Sequence, residues 1–244
     1  MFYCHIRLYW AIICLFIRGP RLSVYIKDPE MKAKACVIWM HGLGADSQDM
    51  IGLAEQLQVT VPCRHVFMDA PVRPVTLNNK MPMRAWYDIS GMELTSREDA
   101  DGIVQSEGLI LKVMDEQIAQ GFDSKSIFFA GFSQGAAMAL FTGLNAVTPI
   151  AGIIALSGYI PLASSLDLKA NKDMPIFIGG GLHDPIVLPL WTNQCVAFLK
   201  ANGYQKIEQH TYPMEHAVCA SEINDLSSFL STAASSMSHH DGVL

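Results

Sequence analysis

The chain has 244 residues, half of them hydrophobic, which is enough for one large domain with a buried core. Its net charge of −6 and its scattered basic residues argue against a phosphate-tracking surface, so no nucleic-acid partner is expected. The cysteines form neither a CxxC pair nor a zinc-type Cys/His spacing, which predicts reduced thiols, a cytoplasmic protein and no metal site.

The first residues carry an apolar run over 8–17, flanked by Arg7 and Arg18. This run is shorter than the ~20 residues that a membrane-spanning helix needs. Three interpretations stay open: a membrane-associated extension, a signal sequence, or upstream sequence included by a misplaced start. Residues 1–21 are therefore treated as an N-terminal extension of uncertain status, and membrane contact is left open.

From residue 22 onward, short apolar runs alternate with longer stretches of helical period. The apolar runs predict strands over residues 36–40, 66–68, 127–130, 150–156, 176–178 and 207–212. The helical stretches cover residues 50–57, 103–118, 134–144, 191–200 and 218–230. A Pro-rich segment from about 69 to 98 is expected to be irregular. Apolar strands separated by helices predict an α/β domain over 22–232, with a mostly parallel sheet covered on both faces and a polar tail over 233–244.

Residues 131–135, Gly-Phe-Ser-Gln-Gly, fit the pattern G-x-S-x-G between a predicted strand and a predicted helix. The pattern alone is common by chance, but this context is what a nucleophile elbow requires. Gly131 and Gly135 indicate a tight turn, because side chains there would collide with the neighbouring strand and helix. Ser133 is therefore the predicted nucleophile, and a plain turn with a capping serine is the alternative.

A serine hydroxyl is a weak nucleophile and needs a base, which in turn needs a group that orients it. Of the histidines after Ser133, His216 lies between the last strand and the last helix, at the carboxyl edge of the sheet. His183 directly precedes the best acid candidate, His210 lies inside a strand, and the remaining two lie in the tail. His216 is the predicted base.

Among the acidic residues, Asp184 follows a predicted strand through a Gly-rich loop and reaches the same edge of the sheet. Asp167 and Asp173 lie in a polar stretch before that strand and are expected to be solvated or capping residues. Glu222 and Asp225 belong to the closing helix, past the histidine. The chain order Ser, acid, His therefore favours Asp184.

The tetrahedral intermediate of acyl transfer needs preorganised N–H donors. One is expected from the backbone amide of Gln134, and the other from the glycine-rich loop at 41–44, where the backbone can approach a substrate closely. His41 is expected to hold this loop by hydrogen bonds, since it lies too early in the chain to be the base.

Together these residues resemble the acyl-protein thioesterase/carboxylesterase family of α/β-hydrolases, also described as phospholipase/carboxylesterase. Besides the two glycine-rich motifs, the resemblance rests on RPVTLN at 73–78 and MRAWYDI at 83–89, which have no general α/β-hydrolase meaning. Three departures stand out. Gly-Gly at 180–181 replaces the usual His-Gly, Ala136 stands where a glycine is usual, and the N-terminal extension has no family counterpart.

The resemblance implies an α/β-hydrolase fold without a large lid domain, and triad roles for Ser133, Asp184 and His216. It also implies an oxyanion hole formed by the amides of Leu43 and Gln134. The residues that it implies for the acyl-binding site are Leu43, Val75, Met83 and Trp86. Core packing is the alternative for the last two.

The predicted activity is a two-step acyl transfer from a carboxylic ester or thioester, through an acyl-enzyme on Ser133, with no metal or organic cofactor. Lysophospholipids and acylated proteins are alternative substrates, which would make the chain a lysophospholipase or a depalmitoylating thioesterase. The non-enzymatic alternative is an acyl-chain-binding protein, which the complete set of catalytic groups argues against. The oligomeric state stays open, with a homodimer among the alternatives.

Overall fold

The computed structural model describes residues 11–12, 22–91 and 97–237. Its strands are β1 (Ala11–Ile12), β2 (Val24–Lys27), β3 (Ala35–Met40), β4 (Cys63–Met68), β5 (Val72–Val75), β6 (Met81–Arg84), β7 (Ile127–Phe132), β8 (Gly152–Leu156), β9 (Ile176–Gly181) and β10 (Ile207–Tyr212). Its α-helices are α1 (Ser47–Ala54), α2 (Ala100–Ala119), α3 (Gln134–Asn145), α4 (Pro189–Ala201) and α5 (Ala220–Met237). Every strand and helix that the apolar pattern predicts has a counterpart here.

Within the described ranges, eight strands form one sheet in the order β1-β2-β4-β3-β7-β8-β9-β10. The pairs from β4 to β10 are parallel, whereas β1 and β2 are antiparallel to their neighbours. Helices α2, α3 and α4 pack on one face and helices α1 and α5 on the other. The predicted mostly parallel α/β sheet is confirmed, and all the parallel strands end at the same edge.

The two faces of the sheet bury separate hydrophobic cores, as side chains alternate along each strand. In β3, which is buried throughout, Ile38 lies in the core under α2, α3 and α4, whereas Trp39 lies in the core under α1 and α5. Such double burial explains why the central strands are apolar at almost every position.

The segment between β4 and α2 contains a β-hairpin, in which β5 and β6 pair antiparallel. The prediction of an irregular segment is therefore wrong for these residues. Pro74 and Pro82 lie opposite each other in the hairpin. Proline cannot donate a ladder hydrogen bond, but a two-stranded ribbon has two free edges that tolerate it. The prolines that favoured an irregular structure are thus compatible with an isolated ribbon.

Helix α5 continues to Met237, so residues 233–237 are helical and the predicted tail is wrong for them. Ala233 and Ala234 are buried against the sheet, and this burial holds the last turns of the helix in place. Residues 238–244 lie outside the described residues.

The N-terminal extension falls mostly outside the described residues. Within it, Ala11 and Ile12 form β1, which pairs with β2 at one end of the sheet. Among the residues that the structure describes, no helix is both long enough and apolar enough to cross a membrane.

Candidate active site

Ser133 lies at the carboxyl edge of the sheet, between β7 and α3, with φ of 56° and ψ of −119°. A non-glycine residue in such a conformation is strained and persists only where its surroundings impose it. Here its amide donates a 2.9 Å hydrogen bond to the carbonyl of Leu156, and its carbonyl accepts from the amide of Ala137. Strand β8 and helix α3 therefore hold the serine at the tip of the turn.

The glycines on either side of Ser133 are required by close backbone contacts. A Cβ on Gly131 would overlap the backbone of Gly135, and one on Gly135 would overlap the carbonyl groups of Met40 and His41. The predicted tight turn is confirmed, and it brings the start of α3 onto the end of β3.

Three polar side chains meet at this edge of the sheet. Nε2 of His216 lies 2.9 Å from Oγ of Ser133, and Nδ1 of His216 lies 2.7 Å from Oδ2 of Asp184. The imidazole also packs against the ring of Phe132, with 4.8 Å between the ring centroids. Both distances are those of hydrogen bonds, so the imidazole can accept a proton from the hydroxyl while the carboxylate holds its other nitrogen. The structure thus brings the three predicted residues together.

Asp184 is buried, with 2% of its surface exposed, yet its carboxylate is fully hydrogen-bonded. Oδ1 accepts the backbone N–H groups of Ile186 and Val187 at 2.8 and 2.9 Å, and Oδ2 faces His216. These bonds offset the cost of burying a charged group. They also fix the side chain through its own loop, without help from a distant residue.

The loop that carries Asp184 is hydrogen-bonded to the loop that carries His216. The amide of Leu182 donates to the carbonyl of Tyr212 at 2.7 Å, and the amide of His183 donates to the carbonyl of Met214 at 3.0 Å. A Cβ on Gly181 would overlap the carbonyl of Met214, so a glycine is needed where the two loops approach.

The loop at 41–44 lies directly beside Ser133, since a Cβ on Gly42 would be 3.4 Å from Cβ of Ser133. At the end of the loop, the amide of Gly44 donates to the carbonyl of Arg84 at 2.9 Å. Within the described part of the chain, the amides of Leu43 and Gln134 donate to no other protein group. Both amides are therefore available to a ligand at Ser133.

His41 is fully buried and holds the loop, as expected. Its Nε2 accepts the amide of Ala70 at 3.0 Å, so the ring proton lies on Nδ1 and is donated to the carbonyl of Gly42 at 2.7 Å. Burial lowers the pKa of His41 below its ordinary value, which favours the neutral ring that this pair of bonds requires.

An ion pair next to this loop involves two residues that sequence reasoning did not select. Oδ1 of the buried Asp69 accepts the amide of Ser47 at 2.8 Å, and its Oδ2 lies 3.1 Å from Nη2 of Arg84. Nη1 of Arg84 donates to the carbonyl of Ala70 at 3.2 Å. Asp69 directly follows β4, so the rule that sites gather at the carboxyl ends of strands was the signal that could have found it.

Two of the four residues implied for the acyl site have no solvent-exposed surface. Val75 and Trp86 are fully buried, whereas Leu43 and Met83 remain partly exposed. The burial of Trp86 fits its core-packing alternative, and the acyl-site roles of all four residues stay predictions.

Exposed apolar side chains gather on the segment 182–190, here called the acid loop, which surrounds Asp184. They are Leu182, Ile186, Leu188 and Leu190. The hairpin of β5 and β6 and its connecting turn expose further apolar side chains. These are Val72, Leu77 and Met81. Apolar surface is thus available on two loops near the carboxyl edge of the sheet.

The cysteines in the described residues are free. Burial raises the pKa of Cys36 and of Cys195 to about 12 and that of Cys63 to about 11, so these thiols are unreactive at neutral pH. Among the described residues no cluster of His, Cys, Asp and Glu side chains has the geometry to hold a metal ion.

Comparison with known proteins places these features in one family. The phospholipase/carboxylesterase family model matches residues 23–234. Acyl-protein thioesterase 1 of Mycosarcoma maydis is 36% identical over 90% of this chain and 97% of its own length. Acyl-protein thioesterase 1 of Schizosaccharomyces pombe is 35% identical over 75% of this chain and 83% of its own. The crystal structure of Arabidopsis thaliana SOBER1 superposes with a TM-score of 0.76 at 26% identity, covering 82% of this chain and 98% of that one.

Proposed function

The chain belongs to the phospholipase/carboxylesterase family and is a serine hydrolase of esters or thioesters, and we propose that Ser133, His216 and Asp184 form its catalytic triad. One observation carries this assignment. The imidazole of His216 lies within hydrogen-bond distance of both the Ser133 hydroxyl and the Asp184 carboxylate.

In the first step, Oγ of Ser133 attacks the carbonyl carbon of the acyl group while its proton moves to Nε2 of His216. Asp184 accepts the Nδ1–H of the imidazole and stabilises the positive charge that develops on the ring. The carbonyl oxygen becomes an oxyanion, and the free amides of Leu43 and Gln134 are the proposed donors to it.

The tetrahedral intermediate then collapses and the leaving alcohol or thiol takes the proton from His216, which leaves an acyl ester on Ser133. In the second step, His216 removes a proton from a water molecule that attacks this ester. A second tetrahedral intermediate uses the same oxyanion donors, and its breakdown releases the carboxylic acid and restores Oγ–H of Ser133. The complete reaction consumes only the acyl substrate and water.

We further propose that the physiological substrates are acyl groups linked to proteins, which two relatives act on according to their name, acyl-protein thioesterase 1. The partly exposed side chains of Leu43 and Met83 next to the oxyanion loop are the proposed first contacts of the acyl chain. The free cysteines of the described residues favour a reducing compartment such as the cytoplasm.

The triad is tested by Ser133→Ala, measured by hydrolysis of a short-chain aryl ester and by labelling with a fluorophosphonate probe. We expect the variant to lose roughly 10⁴-fold or more in kcat and all labelling. Ser157→Ala is the matched control, because Ser157 is also buried next to a strand end with positive φ, and its hydroxyl has no partner among the described residues. Full activity of the Ser133 variant would contradict the proposal.

The substrate class is tested with pairs of oxygen ester and thioester of the same acyl group, over a series of chain lengths, next to a lysophospholipid. Preference for a long-chain thioester supports the acyl-protein assignment. Preference for the lysophospholipid would favour the alternative substrate without affecting the triad.

A further inference from the structure

Trp86 connects the two elements that supply the proposed oxyanion donors. Its backbone amide donates a 2.9 Å hydrogen bond to Oε1 of Gln134, and its indole N–H donates a 2.9 Å hydrogen bond to the carbonyl of His41. Gln134 returns a bond from Nε2 to the carbonyl of Tyr87 at 2.8 Å. One residue is therefore bonded both to the start of α3 and to the start of the 41–44 loop.

We propose that Trp86 is a positioning residue that sets the spacing between the amides of Leu43 and Gln134. The inference rests on the proposed function, because it takes these two amides as the donors to the oxyanion. It assigns to Trp86 a role as a hydrogen-bond donor to two segments. The indole acts through the carbonyl of His41 and does not touch the substrate.

The burial of these groups makes the connection rigid. Trp86, His41 and Gln134 expose 0%, 0% and 2% of their surface, so water does not compete for the bonds between them. Removing the indole N–H would leave the buried carbonyl of His41 without this donor, and the loop would have to shift to satisfy it. The carbonyl belongs to the residue two positions before Leu43, so such a shift moves the donor itself.

The expected consequence is kinetic. Removal of one oxyanion donor costs about 10²–10³-fold in kcat, and a displacement of about 1 Å can cost about 10²-fold. Because both tetrahedral intermediates use the same amides, acylation and deacylation should both slow. Ground-state binding of the substrate does not depend on the oxyanion and should change little.

The competing explanation is that Trp86 merely fills the core, where its ring lies 5.5 Å from the ring of His41. A core role predicts a loss of stability when the side chain is replaced by a smaller one, with unchanged kcat in the protein that remains folded. The two explanations therefore differ in their kinetic readout.

The test is Trp86→Phe, with Trp39→Phe as the matched control. Trp39 is also fully buried and donates its indole N–H to a histidine, Nδ1 of His65, at 3.0 Å, but its side chain lies on the opposite face of the sheet. For each variant we would measure thermal stability, kcat and KM for a short-chain aryl ester. We would also measure the affinity of an alkyl boronic acid, whose tetrahedral adduct with the serine places an oxygen in the oxyanion hole.

For Trp86→Phe we expect kcat to fall about 10–100-fold, with boronic acid affinity falling by a similar factor and KM changing less than about threefold. Trp39→Phe should lower thermal stability and leave both kinetic quantities unchanged. Folded Trp86→Phe with wild-type kcat and boronic acid affinity would overturn the proposal.

A second variant keeps the test decisive if Trp86→Phe does not fold. Gln134→Met preserves the backbone amide and most of the side-chain volume but removes the side-chain hydrogen bonds to residues 86 and 87. We expect kcat and boronic acid affinity to fall together in this variant as well. Wild-type kcat in that variant would also overturn the proposal. Activity that survives Ser133→Ala would instead reject the proposed function, so the two failures are distinguishable.

Discussion

The two sides of Ser133 are held in different ways. The oxyanion side, consisting of residues 41–44, Asp69, Arg84 and Trp86, is held by buried hydrogen bonds between separate segments of the chain. On the acid loop, Asp184 is held by backbone amides of its own loop, and four side chains of the loop are apolar and exposed.

Under the proposed mechanism, the difference follows from what each side must do. Oxyanion donors act only if they are already in place when charge develops, so their support must be rigid. The carboxylate has only to hold one ring nitrogen of His216, and a local loop suffices for this. Changes in the support of the oxyanion side should therefore alter both stability and kcat. Changes on the acid loop, apart from Asp184 itself, should alter substrate binding alone.

Among changes on the two sides of Ser133, the largest expected effect is that of Asp184→Asn, the exception on the acid loop. The side-chain NH2 group of the asparagine can donate to Nδ1 of His216. This favours the tautomer whose Nε2 already carries a proton and cannot accept one from Ser133. We expect kcat to fall about 10³–10⁴-fold while the protein stays folded, because the asparagine oxygen can still accept the amide of Ile186. Steady-state kinetics with the ester substrate measure this. The exposed Asp173→Asn is the control and should be neutral; activity near that of wild type in the Asp184 variant would remove the carboxylate from the mechanism.

A second buried carboxyl group, that of Glu222, packs against Gly179 of β9, the strand that precedes the acid loop. Burial and the nearby Asp225 raise the pKa of Glu222 to about 8. The folded protein therefore keeps a proton that the unfolded chain releases near pH 4.5. The stability linked to this proton is complete below about pH 4.5 and is lost as the pH rises through about 8.

Glu222→Gln should accordingly be more stable than wild type at pH 8, by up to ~4 kcal/mol, and the advantage should shrink toward pH 5. Chemical denaturation at several pH values measures it. Glu30→Gln, at an exposed position, is the control. A constant difference between Glu222→Gln and wild type across this range would contradict the proposed protonation.

A smaller effect is expected for Asp69→Asn on the oxyanion side. The change weakens the pair with Arg84, whose backbone carbonyl accepts the amide of Gly44. We expect about 1–3 kcal/mol of lost stability and roughly a tenfold lower kcat, since the 41–44 loop loses part of its support. Denaturation curves and kinetics at one pH measure the two effects.

The surface ion pair between Arg64 and Asp28 offers the control for Asp69→Asn. Asp28 is mostly exposed, so Asp28→Asn should change stability by no more than about 0.5–1 kcal/mol and leave kcat unchanged. Equal behaviour of the two variants would mean that the ion pair at Asp69 does not support the loop.

The smallest effect is expected for Leu182→Ser on the acid loop, where the side chain is 53% exposed. Stability should change by no more than about 0.5 kcal/mol, and kcat with a short acyl ester should be unchanged. KM should rise about threefold for long acyl chains, which would lose apolar contact. Val147→Ser, at an exposed position after the far end of α3, is the control and should affect no substrate. A lower kcat of Leu182→Ser with short acyl esters would contradict the proposed difference between the two sides of Ser133.

The sequence predicted those parts of the site that depend on local motifs and chain order. The elbow at Ser133 is a continuous motif, and His216 and Asp184 follow from the rule that sites gather at the carboxyl ends of parallel strands. The bonds of Trp86 and the pairing of Asp69 with Arg84 join separate segments, and neither leaves a periodic or spaced signal in the chain. The prolines led to the prediction of an irregular segment where the hairpin lies. The serines at the end of α5 led to the prediction of a polar tail where Ala234 is buried.

The missing side chain of Gly135 has a consequence for engineering. The first turn of α3 lies directly on the carbonyls of Met40 and His41, so the turn at Ser133 and the loop after β3 are in direct contact. A loop from another esterase grafted at 41–44 would have to fit against the first turn of α3. A larger residue at 135 would overlap the carbonyls of Met40 and His41. Altering selectivity is therefore more promising at the exposed acid loop, where new side chains displace only solvent.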